Sequence, residues 1–221
     1  VIHCAADVRH FAADDAIEKT NLVGTDRILS CCITRQARLI HISALGIDPA
    51  SPNPYIRSKS IAEQHVLEAI RQGELSGTVM RIGNLTNAPQ PHSTLQDTLL
   101  ALLQLGQYPQ SLASIPIALS TADATARAIL LLATHATGHP LLAPYNPQTT
   151  TLASLLPSSL QSVPDSLFRQ TLTQALTTPA NRALLTPLLH YLDIIDTTAE
   201  ATILTDNTLT NRLLQELDFH W

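Results

Sequence analysis

Arg38-Leu39-Ile40-His41-Ile42-Ser43, then Tyr55-Ile56-Arg57-Ser58-Lys59, then Thr78-Val79-Met80-Arg81-Ile82-Gly83-Asn84: the reading of the fold turns on these three stretches in this order. The first and third are short and rich in β-branched residues, as strands are. The second opens a stretch from Tyr55 to Gln72 whose apolar residues, Ile61, Ala62, Val66, Ala69 and Ile70, recur at helical spacing. Working outward, Val1 to Ala6 reads as a strand and Asp14 to Cys32 as a helix. Downstream come a loop at Asn87 to Ser93, a helix near Thr94 to Gly106, a helix of about Ala124 to Thr134 capped by Asp123, and a further strand within Pro140 to Tyr145. Strands alternating with helices predict an α/β fold, a parallel sheet with helices covering it.

From Asn146 the composition turns to Thr, Ser, Leu and Gln, and this half reads as all-helical. Helix starts are signalled at Ser162-Val163-Pro164, Thr178-Pro179 and Asn207. Leu167, Phe168, Leu172, Ala175 and Leu176 form one apolar face. Leu184, Leu185, Leu188, Leu189 and Leu192 form another, in a helix that Pro187 should kink. Both stripes are read as packing surfaces. The expected division is a sheet-bearing domain over 1–146 and a helical subdomain over 147–221.

Of the 221 residues 45% are hydrophobic and 14% charged, a balance that excludes the disordered classes and supplies a sizeable core. The net charge of −5, with Lys19 and Lys59 the only lysines, leaves no basic face for nucleic acid. The longest apolar runs, Leu99 to Leu103 and Ala128 to Ala133, are far shorter than a membrane span, so no membrane association is expected. Cys4, Cys31 and Cys32 are an odd number with two adjacent, which favours free thiols and a cytoplasmic setting. None of the nine histidines falls in a zinc pattern, and no metal is expected. Val1 opens directly on strand-type sequence without an initiator methionine, and is read as the continuation of a longer protein.

Tyr55 and Lys59 lie four apart, one above the other on a helix. An ammonium beside the phenol, together with a positively charged nicotinamide, lowers the phenol's pKa from about 10 and makes the pair a usable acid at neutral pH. The strand ending in Ser43 and the strand running into Arg81-Ile82-Gly83-Asn84 bracket this helix. That is the order in which a Rossmann-type sheet brings side chains to the carboxyl ends of its strands, where ligands bind.

These residues, with Val1-Ile2-His3-Cys4-Ala5-Ala6-Asp7-Val8-Arg9-His10-Phe11, Asn21-Leu22-Val23-Gly24-Thr25, Ala62-Glu63 and Leu85-Thr86, resemble extended short-chain dehydrogenase/reductases. More narrowly they resemble the thioester-reductase domains that end nonribosomal peptide synthetases, relatives of the reductase domains of carboxylic acid reductases. The terminal Leu213-Leu214-Gln215-Glu216-Leu217-Asp218-Phe219-His220-Trp221 is similar to the closing helix of such domains. The resemblance covers residues 1 to about 146 and is thin in the helical tail. It implies reduction by NADPH of an acyl or peptidyl thioester, held on the phosphopantetheine arm of an acyl or peptidyl carrier protein, to an aldehyde or alcohol that is released. It implies Tyr55 as the proton donor and Lys59 as its tuner and holder of the nicotinamide ribose. Ala5 and Ala6 would line the cofactor groove, Asn21 would lie beneath the site, and Gly83 and Asn84 would lie near the nicotinamide.

Two departures from the family pattern stand out. The family's hydroxyl donor to the substrate oxygen follows a serine at the end of the second stretch's preceding strand; here the pair is Ser43-Ala44, leaving Ser43 as the candidate. The seven glycines nowhere form the Gly-rich turn that cradles a pyrophosphate, so this stretch alone is expected to hold NADPH poorly and to expose an edge of its sheet. Two alternatives remain: a catalytically impaired nucleotide-binding module of the same fold, and a sugar-nucleotide epimerase or dehydratase.

Overall fold

The computed structural model describes residues 1–9, 15–88, 93–189 and 204–221. His10, Phe11 and Asp14 of the stretches quoted above, residues 89–92 of the expected loop, and Leu192 lie outside them.

Four parallel strands form the central sheet: β1 (Ile2–His3), β2 (Leu39–Ala44), β3 (Gly77–Ile82) and β8 (Leu141–Leu142), in the order β1-β2-β3-β8. Between β3 and β8 in sequence, β4 (Asn84–Thr86) pairs in parallel with β7 (Leu119–Thr121). Side chains alternate across β2 and β3. Ile40, Ile42 and Met80 pack with Ala128 and Leu132 of α5 (Ala122–His135), Leu142 of β8, and Leu214 and Phe219 of the terminal helix region. Leu39 and Val79 pack on the other face with Cys32 of α2 (Gly24–Thr34) and Val66 and Ala69 of α3 (Pro54–Arg71). Helices cover both faces, the Rossmann-type α/β arrangement that the alternation predicts.

The β2–β3 contact is close at its start. A Cβ at Gly77 would lie 2.7 Å from the Leu39 carbonyl oxygen, its partner in register. Backbone atoms there cannot yield as a flexible side chain can. Gly77→Ala is therefore expected to destabilise the protein by roughly 1–3 kcal/mol, read as a lower urea midpoint; an unchanged midpoint would contradict this packing.

By contacts the chain divides into two compact units. Unit 1 comprises Val1–Asn87, Leu119–Pro147 and Thr202–Trp221; unit 2 comprises Ala88–Ala118 and Gln148–Ala201. The chain passes from one unit to the other near 87, 118, 147 and 201. The terminal helix (Thr208–Glu216) belongs with unit 1 because Leu214 and Phe219 complete the sheet's core.

In unit 2, α4 (Thr94–Leu105) starts at a capping box of Ser93 and Gln96 and ends at Gly106, whose φ of 79° is a left-handed C-cap suited to glycine. It packs against α8 (Pro179–Leu185) and the 3₁₀ turn Thr186–Leu188 that Pro187 imposes. Phe168 and Leu172 of α7 (Asp165–Leu176), with Leu185 and Leu188, are buried, whereas Leu167 and Leu184 are exposed.

Three local expectations are corrected. The region after Asn146 is not all-helical: β9 (Thr150–Thr151) pairs antiparallel with β6 (Pro116–Ile117), and β10 (Gln161–Val163) pairs in parallel with β5 (Gln107–Pro109). β-Branched Thr and Val at these positions favour extended backbone. Thr121, not Asp123, caps α5, its hydroxyl accepting from the Ala124 amide; Asp123 sits in the first turn, where its charge suits the helix dipole. The first strand is confined to Ile2–His3 at an exposed sheet edge, with Ile2 itself exposed.

Among the described residues no helix is long and apolar enough to cross a membrane. Cys4 and Cys31 are free and exposed, and Cys32 is free and buried.

Candidate active site at the strand ends

The helix that carries Tyr55 is placed by its own first turn. The Asn53 side chain accepts from the amides of Tyr55 and Ile56 at 3.0 and 3.2 Å, with Pro54 at the first helical position. Arg57 donates to the Ser51 and Pro52 carbonyls and pairs with Glu18 at 3.0 Å, fixing the approach to the helix. Tyr55 thus stands half-buried in the opening turn of α3. One turn on, Lys59 is 5% exposed, and its ammonium donates to the Ile42 carbonyl of β2 at 2.7 Å.

Beneath Lys59 the α3-facing side of β2 continues through His41 and Ser43, each about 2% exposed or less. The Ser43 hydroxyl and both ring nitrogens of His41 have no hydrogen-bond partner among the described residues. Buried polar atoms without partners are uncommon and mark places where a ligand or water completes the structure. His3 on β1 stands with its ring centroid 5.4 Å from that of His41, and its Nε2 lies 3.1 Å from the Thr25 hydroxyl.

Asn21 is seated by a feature that helical periodicity does not reveal. The stretch Lys19–Val23 is a π-helical turn between α1 (Ala16–Glu18) and α2. It carries the Asn21 side chain to three partners: it accepts from the Asp7 amide at 2.7 Å, donates to the Asp7 carbonyl at 2.9 Å, and donates to the Ser58 hydroxyl at 3.2 Å. Ser58 in turn donates to the Tyr55 carbonyl at 3.0 Å. Asn21 therefore ties the segment after β1 to the helix of Tyr55 and Lys59.

Ala5 and Ala6 follow the carboxyl end of β1, and Gly83 and Asn84 follow that of β3. Ala5 and Asn84 are exposed, Ala6 and Gly83 half-buried. Ser43, Ala5, Ala6, Gly83 and Asn84 thus lie at or just beyond the carboxyl ends of parallel strands, while Asn21 is bonded to the segment after β1 and Lys59 to β2.

Burial dominates the electrostatics. It lowers Lys59 to about 8, opposed by the nearby Glu63 carboxylate and by Cys4. It pushes the Tyr55 phenol upward from 10, so the lowering expected from the Tyr-Lys spacing is not a property of the protein alone. His3 is also lowered, by burial and then by the Lys59 charge. His41 falls to about 3, through burial first, then Lys59 and His3.

The His41 value has a consequence for stability. Well above pH 6.5 the ring is neutral whether folded or unfolded. Between 6.5 and about 3 the unfolded chain takes up a proton that the folded protein refuses, so stability falls as pH falls through that window. At about 1.4 kcal/mol per pH unit the full loss is on the order of 4–5 kcal/mol. Urea midpoints measured from pH 7 to pH 4 should drop less steeply in His41→Phe than in the wild type; parallel curves would contradict the neutral burial of His41.

The site's chemistry suits the nicotinamide-ribose end of a dinucleotide. Lys59 offers a charged donor, Tyr55 a phenol, and Ser43 an uncommitted hydroxyl. This chain holds no Gly-rich turn for the pyrophosphate end.

The sequence profile of the family described as male sterility protein, an NAD-binding family, matches residues 1–50 and 44–129. The structure is similar to the reductase domain of the Aureusimine biosynthetic cluster, with a TM-score of 0.74 and 27% identity over 100% of this chain and 64% of that one. It is also similar in fold to a thiolation-reductase di-domain from an archaeal non-ribosomal peptide synthetase, with a TM-score of 0.71 and 21% identity over 100% of this chain and 53% of that one. A dTDP-6-deoxy-L-talose 4-dehydrogenase (NAD(P)(+)) from Kitasatospora kifunensis is 30% identical over 106 residues, 41% of this chain and 33% of its own length. The chain therefore spans about a third of that curated relative and less than two thirds of either reductase structure. With the profile covering more than half of its length and the Tyr55–Lys59 helix lying against a parallel sheet, the chain belongs to the male sterility protein family of extended short-chain dehydrogenase/reductases.

Proposed function

We propose that this chain carries the catalytic helix of an NADPH-dependent reductase that releases an acyl or peptidyl group from the thioester of a carrier protein's phosphopantetheine arm. When bound, NADPH supplies the hydride for the thioester carbonyl carbon. Tyr55 donates the proton that the resulting oxyanion requires, and collapse of the hemithioacetal frees the carrier thiol and leaves an aldehyde. The Lys59 ammonium stabilises the phenolate left behind, offsetting the rise that burial gives Tyr55. Lys59 and Tyr55 hold the nicotinamide ribose, with Ala5, Ala6, Gly83 and Asn84 bordering the groove and Asn21 fixing the helix from beneath. Ser43 supplies the second donor to the substrate oxygen in place of the hydroxyl absent at Ala44.

The observation that carries this reading is the extent of the likeness to the reductase domain, which spans the whole chain, unit 2 included. The dehydrogenase relative aligns over 41% of it. That relative nevertheless favours a second reading, oxidoreduction of a deoxynucleoside-diphosphate sugar on the same Tyr55 and Lys59.

The two separate in one assay. Full-length protein is given NADPH with either an acyl-pantetheine thioester or a dTDP-4-keto sugar, and absorbance loss is followed. Oxidation with the thioester alone is expected; oxidation with the sugar alone would transfer the site to the second reading.

A further inference from the structure

Glu63 lies one turn beyond Lys59 on α3 and is 2% exposed. Arg81 on β3 grips it: Nε lies 3.1 Å from each carboxylate oxygen and Nη2 is 2.5 Å from Oε1. The β2–β3 register sets Arg81 directly opposite Ser43, so this ion pair is built into the same strand ends as the site. The remaining Nη1 of Arg81 donates to the Thr205 hydroxyl at 3.1 Å. Thr205 is itself held, its carbonyl accepting from the Tyr145 hydroxyl at 2.6 Å, while Asn207 donates to the Tyr145 carbonyl at 3.0 Å. Arg81 is thus fixed from two sides by groups distant in sequence. A planar guanidinium gripping a carboxylate in this way determines orientation as well as charge.

The charged and titratable groups that act on the Lys59 ammonium are His3 from β1, Cys4 just beyond it, His41 from β2 and Glu63 from its own helix, with Arg81 on β3 bound to Glu63; Tyr55 lies one turn before Lys59 on the same helix. Both histidines are disfavoured from carrying charge, by burial and by Lys59 itself. Glu63 is therefore the carboxylate that opposes the desolvation of this ammonium. We propose that Glu63 is a positioning residue for Lys59, and that Arg81, braced by Thr205, sets how much of the Glu63 carboxylate's charge the ammonium experiences. The bearing on catalysis rests on the reductase reading above; the effect on Lys59 needs no substrate.

The test is a direct titration of Lys59 by NMR in full-length protein labelled with ¹³Cε-lysine, its signal assigned by its loss in Lys59→Arg. Glu63→Gln removes the counter-charge and leaves Arg81, so the Lys59 midpoint is expected to fall by about one pH unit. Arg81→Gln releases the carboxylate to the ammonium, and the midpoint is expected to rise. Glu63→Asp keeps the charge and is expected to hold the wild-type midpoint more closely than Glu63→Gln. A merely structural role would loosen the site and raise the midpoint in both charge-removing variants by letting water in. A rise or no change in Glu63→Gln overturns the proposal; if that variant does not fold, an unchanged or lowered midpoint in Arg81→Gln, or a Glu63→Asp midpoint above the wild-type value, does so. Failure of thioester reduction with these titrations intact would instead overturn the reductase reading alone.

Discussion

Tyr55→Phe is expected to lower the rate of thioester-dependent NADPH oxidation by about 10²- to 10⁴-fold, the ordinary worth of a positioned proton donor. The substitution deletes one oxygen from a half-buried ring in the first turn of α3, where the helix start is held through Asn53, Pro54 and Arg57. The backbone and Lys59 should therefore stay in place. The loss should fall chiefly on kcat, with a smaller effect on cofactor affinity, because Lys59 still holds the ribose once the phenol oxygen is gone. A variant that retained wild-type turnover would remove Tyr55 from the chemistry, whatever the family resemblance.

Ser43→Ala is the second large effect. Its hydroxyl is buried, lies on the α3 face of β2 two residues beyond His41, and has no partner among the described residues. In the free protein its removal should cost little stability, since no hydrogen bond is lost and an unsatisfied polar atom disappears. In turnover it should cost on the order of 10²- to 10³-fold, the loss of one donor to a developing oxyanion. That combination, near-normal urea midpoint with depressed kcat, separates a catalytic hydroxyl from a plain strand-end serine. Wild-type kcat in Ser43→Ala would show that Ser43 does not replace the hydroxyl missing at Ala44.

The sheet and its covering helices were legible because hydrophobic spacing is a local property. The β-branched runs around Ile40 and Val79, and the period of Ile61, Val66 and Ala69, report their own burial without reference to the rest of the chain. The π-helical turn under Asn21 was not legible, because one extra residue in a helical turn leaves the apolar pattern almost unaltered. The short strands at Thr150 and Ser162 were missed for a different reason. Each is two or three residues long and is stabilised by a partner some 34 to 54 positions away, beyond what any local window sees.

At the site, Tyr55 and Lys59 announce themselves by spacing, and Ser43 by its place at a strand end. The buried surroundings do not. His3 and His41 come together only when β1 pairs with β2, and Arg81 meets Glu63 only when β3 lies under α3. The available signal was alternation on β2, which puts Leu39, His41 and Ser43 on one face and so draws two polar residues toward the Lys59 helix. The rise of Tyr55 is likewise a property of folding: spacing specifies which charge stands near the phenol, but not how much water is excluded around it.

On the reductase reading, hydride enters the thioester carbonyl and the carbonyl leaves as an aldehyde. The direct measurement gives full-length protein an acyl-pantetheine thioester and NADPH carrying deuterium at the transferred position of C4, and analyses the released product by mass spectrometry. One deuterium on the former thioester carbon of an aldehyde, or of the alcohol derived from it, is the predicted result, with the label lost together with product in Tyr55→Phe. Release of unlabelled carboxylic acid, or no release from the thioester while a dTDP-4-keto sugar takes up the label, would contradict the account.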